Sequence, residues 1–292
     1  MSSSFPLLRL PQLVLCEIFK SLSIEEKFKL SLCSKKISIQ INNARLYSQK
    51  VIVGLDMLNH GIRVCSENYR DSFEISIYPD FWKRHNSNTQ QFSIACCAFL
   101  SAIEHLLKMF YCKISTTISH HNSELYQPTI SMLFDLQVEF KMLFIELNGS
   151  EDRILLWNQI SKKLELIEDL VFSSGLDSGF SPLFTSWPQN ITIFSSVVFT
   201  LESLLECNCT RIILQWSHLG NKDLEVILKN WKTGKLPNLE FLRVDSRNIT
   251  STGATILGMN LSELDGTDIQ TDDGSKTATI NTGHQMFFEM SI

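Results

Sequence analysis

Glycine and proline are scarce in this 292-residue chain, at 12 and 7 residues. With 44% hydrophobic residues, that scarcity excludes collagen-like, low-complexity and disordered readings. Long apolar runs are also missing. The longest, from Phe92 to Ile103, contains Ser93 and Ser101 and stops at Glu104-His105. It is about half of the roughly 20 residues that span a bilayer. The start Met1-Ser-Ser-Ser-Phe-Pro lacks the charged beginning and apolar core of a secretory signal. A non-secreted chain in the cytoplasm and/or nucleus, without a membrane partner, is the expectation. A basic excess is absent too: the net charge is −5, so no nucleic-acid partner is expected.

Catalytic signatures are equally lacking. No Gly-x-Gly-x-x-Gly, no phosphate-binding Gly-x-x-x-x-Gly-Lys-Ser/Thr and no Gly-x-Ser-x-Gly elbow occurs. Cys207-Asn-Cys209 with His218 matches no common zinc spacing and has no second pair. His120-His121, near Glu124, reads as a solvated loop, and Asp272-Asp273 as part of a hairpin turn. The eight cysteines, Cys96-Cys97 among them, read as reduced thiols in apolar helices and strands. None has the electropositive setting and adjacent base that a nucleophilic thiol needs. The five Asn-x-Ser/Thr sequons, from Asn148 to Asn260, are expected to be silent in a non-secreted chain. No catalytic residue, cofactor or metal is expected.

What is present begins in the first fifty residues. They carry six Lys and two Arg against three Glu, so this segment is basic and the remainder acidic. Pro11 suits a first helical turn, and Val14, Leu15, Ile18, Phe19 and Leu22 form one broad apolar face. Ser23-Ile-Glu-Glu26 fits a capping box opening a second helix, with Ile24, Phe28 and Leu32 along it. Ser34 is the expected cap of a third, carrying Ile37 and Ile41. Three short helices cannot enclose a full core, so they must pack on the rest of the chain or offer a face to a partner.

The run Leu10-Pro-Gln-Leu-Val-Leu-Cys-Glu-Ile-Phe-Lys-Ser-Leu22, followed by Leu30-Ser-Leu-Cys-Ser-Lys-Lys36, resembles an F-box. The resemblance implies a three-helix module over about 5–45 that docks on the Skp adaptor of a cullin-RING (SCF) ubiquitin ligase. Carried onto matching positions, it implies adaptor contacts at Leu10, Pro11, Leu15, Ile18, Leu22, Leu32, Ser34 and Lys35. An ordinary helical subdomain packed on its own core is the alternative.

Further on, the pattern apolar-x-x-apolar-x-apolar returns at Met109/Cys112/Ile114, Phe140/Leu143/Ile145, Ile167/Leu170/Phe172, Cys209/Ile212/Leu214 and Leu239/Leu242/Val244. A degenerate sixth copy begins at Leu261/Leu264. Helical stripes lie between the copies: Leu100, Ile103, Leu107, Phe110; Ile130, Leu133, Phe134 after Pro128; Leu156, Trp157, Ile160, Leu164 after a cap at Ser150. The last is Leu224, Ile227, Leu228, Trp231, between the cap Asn221 and Gly234. Alternating strands and helices at such intervals predict parallel strands with helices along one side. The fold class expected is α+β or α/β: a three-helix F-box followed by a degenerate leucine-rich-repeat-like α/β solenoid. A doubly wound sheet is the alternative, but no strand here is followed by a glycine-rich ligand loop.

The stretch from His218 to Leu242, with Asn221-Lys-Asp-Leu and Leu228-Lys-Asn-Trp231 before Pro237-Asn-Leu-Glu-Phe-Leu242, is similar to the type-2 F-box-associated domain of a nematode-expanded family. Glu225 departs from that family's usual Asn. Asp273-Gly-Ser-Lys-Thr-Ala-Thr-Ile280 resembles its final hairpin, with Asp-Gly as a two-residue turn. The expected division is 5–45 F-box, 46–99 connecting segment packed on the repeat domain, and 100–292 repeat domain, with the F-box-associated region at about 185–282.

Together these resemblances imply a non-catalytic substrate receptor that binds the adaptor, through it a cullin, and a protein target. Side chains at the outward strand positions Arg211, Gln215, Phe241, Arg243 and Asp245 are the candidate target contacts. A protein-interaction scaffold outside the ubiquitin system is the competing reading, and a small α/β hydrolase a third.

Overall fold

The computed structural model describes residues 7–43, 50–77, 89–116, 125–147, 151–174, 182–252, 254–283 and 286–292. The expectations at His120-His121, Glu124 and Ser150 lie outside these residues, as does the sequon at Asn148. The chain forms two compact units, 1–130 and 131–292.

In the first unit, α1 (Gln12–Ser21), α2 (Ile24–Cys33) and α3 (Lys35–Asn43) follow a single helical turn at Leu7–Arg9. The capping box forms as the sequence requires. Ser23 Oγ accepts from Glu26 N at 3.2 Å, and Glu26 Oε2 accepts from Ser23 N at 2.8 Å. Leu15, Phe19, Ile24 and Ile41 are buried.

The connecting segment contains three strands: β1 (Val51–Asp56), β2 (Gly61–Ser66) and β3 (Ser72–Ser76), each antiparallel to the next. The long helix α4 (Thr89–Met109) then leads to β4 (Cys112–Thr116), which pairs in parallel with β1. That pairing keeps residues 89–116 with the N-terminal unit, and the two units part at 130/131. The buried face of α4 is Phe99, Ile103 and Leu106, with Phe110 buried just past its end; Leu100 and Leu107, expected on it, are half-buried. Helix α5 (Tyr126–Asp135) crosses from one unit to the other, with Pro128 in its first turn.

In the second unit β5 (Phe140–Leu147), β6 (Ile167–Ser174), β7 (Asn190–Phe194), β8 (Arg211–Ser217) and β9 (Phe241–Ser246) pair in parallel in chain order. Between them run α6 (Glu151–Ile160), α7 (Leu201–Glu206) and α8 (Asn221–Lys232). The strands bury alternate residues, such as Leu170 and Phe172 or Ile212 and Leu214, and the helices bury large side chains such as Trp157 and Trp231. Trp157 meets Phe172 at 5.2 Å and Phe184 at 5.1 Å, and Phe184 stacks on Trp187 at 4.9 Å. Such aromatic pairs add about 0.5–1.5 kcal/mol each to their burial.

Sequence reasoning missed β7. Its pattern is Pro188/Ile191/Ile193, and a buried proline fills the first apolar slot. The sixth copy does not form a strand: Leu261–Leu264 is the short helix α9, because Asn260 and Glu263 close a capping box there. The chain ends in β10 (Asp268–Gln270), β11 (Thr277–Asn281) and β12 (Phe287–Ser291), an antiparallel meander whose last strand pairs with β9. The β10–β11 turn is longer than two residues. Thr271 N bonds to Lys276 O at 3.1 Å, and Gly274, at φ 70°, closes a tight turn onto Thr271 O.

The cap of α8 is Gly220, one residue before the expected Asn221. Asn221 is buried and staples the segment after β9: its Nδ2 donates to Thr250 O and Ala254 O, both at 2.9 Å, and its Oδ1 accepts from Thr250 N at 3.1 Å. Asn221→Ala therefore strands two carbonyls and an amide. A loss of about 2–3 kcal/mol is expected, read as a lower urea midpoint at unchanged denaturant slope.

Candidate functional site

Two surfaces carry the residues singled out by sequence. On the first, the N-terminal helices are held to the sheet behind them through α2. Asp71, in the β2–β3 turn, accepts from Ile24 N at 2.7 Å, a carboxylate at a helix N-terminus where it is favoured. Phe28 packs on Phe73 at 5.3 Å and edge-on to His105 of α4 at 5.8 Å. Ser31 Oγ donates to Phe28 O at 2.6 Å, so its single proton is committed. His105 Nε2, 2.8 Å away, is then the donor to Ser31. Burial, and secondarily Lys108, holds the His105 pKa below its ordinary value.

With α2 engaged there, other apolar residues of the three helices face solvent. Leu13 is 81% exposed, Leu32 63%, Ile39 48% and Val14 43%. Of the eight expected adaptor contacts, Pro11, Leu32 and Lys35 are exposed, while Leu10, Ile18, Leu22 and Ser34 are half-buried. Leu15, at 3% exposure, lies in the core of the three helices with Phe19. Leu13, Val14 and Ile39 were not among the expected contacts, although Val14 lies on the apolar face expected for the first helix. A broad apolar stripe does not reveal which edge turns inward.

The second surface is the outward face of β8, β9 and β12. Register sets Arg211 level with Phe241, and Arg243 level with Glu289. The Arg211 guanidinium lies 3.8 Å from the Phe241 ring centre, and that of Arg243 4.7 Å from Phe287. Arg243 Nε also donates to Asp245 Oδ1 at 3.2 Å. Gln215 lies two positions beyond the outward-facing Ile213 and is half-buried. The five expected target contacts thus share one strand face.

That face has a feature the sequence does not announce. A bulge interrupts the β8–β9 ladder between Leu214 and Ser217. Within it Trp216 adopts φ 55° and is 62% exposed. A bulky residue in the left-handed region costs about 1–3 kcal/mol and persists where its surroundings enforce it. Here Ser196 Oγ donates to Gln215 O at 3.0 Å, and the buried Ser217 pairs with Ser246. The Arg247 guanidinium lies 5.7 Å from the Trp216 ring.

Cys207 and Cys209 are both buried. A hydrogen bond between the two thiols lowers the pKa of Cys207 and, with burial, raises that of Cys209. His218 is exposed. Among the described residues no helix is long and apolar enough to cross a membrane.

Residues 7–49 match the F-box domain family. Residues 184–244 match the F-box associated family, of type 2. The chain joins an F-box to an F-box-associated domain. An uncharacterized protein of Caenorhabditis elegans, F59B2.8, is 22% identical over 295 aligned positions, which cover 91% of this chain and 66% of that relative. No solved structure matches the chain. The F-box family match takes in all of α1 to α3, while the F-box-associated match runs from the Phe184–Trp187 stack to Val244 in β9 and so contains Trp216.

The His105 contact gives the F-box attachment a pH dependence. Above the unfolded value near 6.5, folded and unfolded states are both neutral and the residue contributes no difference. Below it the unfolded chain takes a proton that the folded chain resists, so stability falls with pH until the folded value is passed. His105→Gln, which keeps an N–H donor for Ser31, is expected to lose less stability between about pH 7.5 and 5.5. Urea midpoints of both proteins across that range check it.

Proposed function

We propose that this protein is a substrate-recognition subunit of an SCF-type ubiquitin ligase. The F-box, over about 5–45, binds the Skp adaptor and through it a cullin; the C-terminal domain holds a protein target. One observation carries the reading: residues 7–49 match the F-box family, and four large apolar residues of these helices face solvent while α2 is engaged with the chain's own sheet. Exposed apolar side chains grouped on a small module mark a surface that a partner covers. Pro11, Leu13, Val14, Leu32 and Ile39 form the centre of the adaptor contact in this reading, with Leu10, Ile18, Leu22, Ser34 and Lys35 around them.

The receptor acts by position and supplies no catalytic group. Holding the target beside a conjugating enzyme turns a bimolecular encounter into a local one, a change that contributes strongly to rate when geometry is favourable. Residues 46–99 connect the F-box to a repeat domain over 100–292, with the F-box-associated region at about 185–282. We read the five parallel strands of the second unit as a degenerate leucine-rich-repeat-like solenoid, whose open face carries Arg211, Gln215, Phe241, Arg243 and Asp245. The protein works in the cytoplasm and/or nucleus, with neither nucleic acid nor membrane as partner.

A pull-down with recombinant Skp adaptor tests the proposal. Burial of two leucines contributes about 3–6 kcal/mol, so Leu13→Asp with Leu32→Asp is expected to weaken binding by at least about 100-fold. Leu10→Ala with Pro11→Ala is expected to weaken it as well, both with circular dichroism unchanged. A folded wild-type protein that captures no adaptor overturns the reading and leaves an interaction scaffold outside the ubiquitin system.

A further inference from the structure

The outward face of β8, β9 and β12 holds two guanidinium–aromatic contacts, Arg211 on Phe241 and Arg243 on Phe287, and a third, Arg247 near Trp216, lies at the β8 bulge beside the end of β9. Their charges are not equivalent. Arg243 is bonded to Asp245 and lies level with Glu289, so two carboxylates attend it. Arg211 and Arg247 are exposed and have no carboxylate partner among the described residues. Arg211 and Arg247 are thus exposed cations on a chain whose net charge is −5.

Stacking restricts a guanidinium without consuming its N–H donors. A guanidinium held on a ring face in this way keeps its N–H fork available to a planar, bidentate acceptor. Arg211 and Arg247 sit near opposite ends of β9, up to about 20 Å apart at strand rise. A partner that meets both must be extended. Next to Arg247, Trp216 is held in its strained, exposed conformation by the bulge, an aromatic anchor at a fixed place.

We propose that this face binds an extended acidic segment of a partner protein, with Arg211 and Arg247 taking its carboxylates and Trp216 an apolar side chain. The proposal deepens, and rests on, the reading of the C-terminal domain as the target-holding part; it adds the chemistry of the target and assigns Arg247 and Trp216 to the contact.

The test uses the full-length protein and two fluorescein-labelled peptides of about twelve residues, read by anisotropy. One consists of Asp, Glu and Ser around a central Leu; the other carries Lys at every acidic position. The acidic peptide is expected to bind, the basic one not, with affinity falling steeply between about 50 and 300 mM salt. Arg211→Glu, Arg247→Glu and Trp216→Ala are each expected to weaken it by about tenfold or more. The double variant Arg211→Glu/Arg247→Glu is expected to switch preference to the basic peptide, a gain that misfolding cannot produce. Equal binding of both peptides by the wild type, or acidic-peptide binding unchanged in the double variant, overturns the proposal. Adaptor pull-down with the same proteins separates the two readings. Adaptor bound without peptide selectivity removes this face alone; peptide selectivity without adaptor removes the ligase role and leaves the acidic-segment site in place.

Discussion

Three helices of about ten residues cannot bury enough apolar surface to stand alone, and the N-terminal unit is built around that constraint. Helix α2 is spent on the chain's own sheet. Asp71 meets its N-terminus, Phe73 and His105 enclose Phe28, and Ser31 is drawn into a hydrogen bond with α4. The cost is that one helix face is lost to partners. In return Leu13, Val14, Leu32 and Ile39 are exposed on helices with a fixed support, which in the proposed role spares the adaptor the cost of ordering them.

The second unit solves a different problem with one repeated device. Each parallel strand turns two residues inward to meet helix side chains and leaves its alternate positions outside. Because the register between neighbouring strands is direct, outward positions align into rows across β8, β9 and β12. Arginine and aromatic residues placed singly in the sequence thereby become adjacent. The bulge in β8 is the one place where this regularity breaks in that face, and it is where a tryptophan is pushed into solvent.

Features fixed by nearest neighbours along the chain were legible in the sequence. The Ser23–Glu26 capping box, the end of α8 at Gly234 and five of the strands depend on local spacing, and they form where that spacing predicts. What escaped was decided at a distance. Residues 51–76 form three strands joined by turns without an Asn-Gly or Asp-Gly signal, and β1 is buried because β2 and β4 flank it. Pro188 disguised β7 by taking an apolar slot. Leu261–Leu264 satisfied the repeat pattern, but its flanking cap made it helical. Of the site residues, the outward row from Arg211 to Asp245 was readable from strand alternation. The burial of Leu15 and the exposure of Leu13 were not, since a helix apolar on more than one side does not reveal which side turns inward. Trp216 and Arg247 were invisible because the bulge joining them arises from strand pairing.

The central claim is that one face of the F-box helices is committed inward while another is kept for the adaptor. Amide hydrogen exchange of the full-length protein, with and without recombinant Skp adaptor, tests it directly. Slowed exchange confined to the segments around Leu13–Val14, Leu32 and Ile39, with Ile24–Phe28 and α4 unchanged, is the predicted result. Protection that appears instead at Ile24–Phe28, or deprotection of α4 on binding, would mean that the adaptor displaces the contact with Phe73 and His105, and would contradict the account.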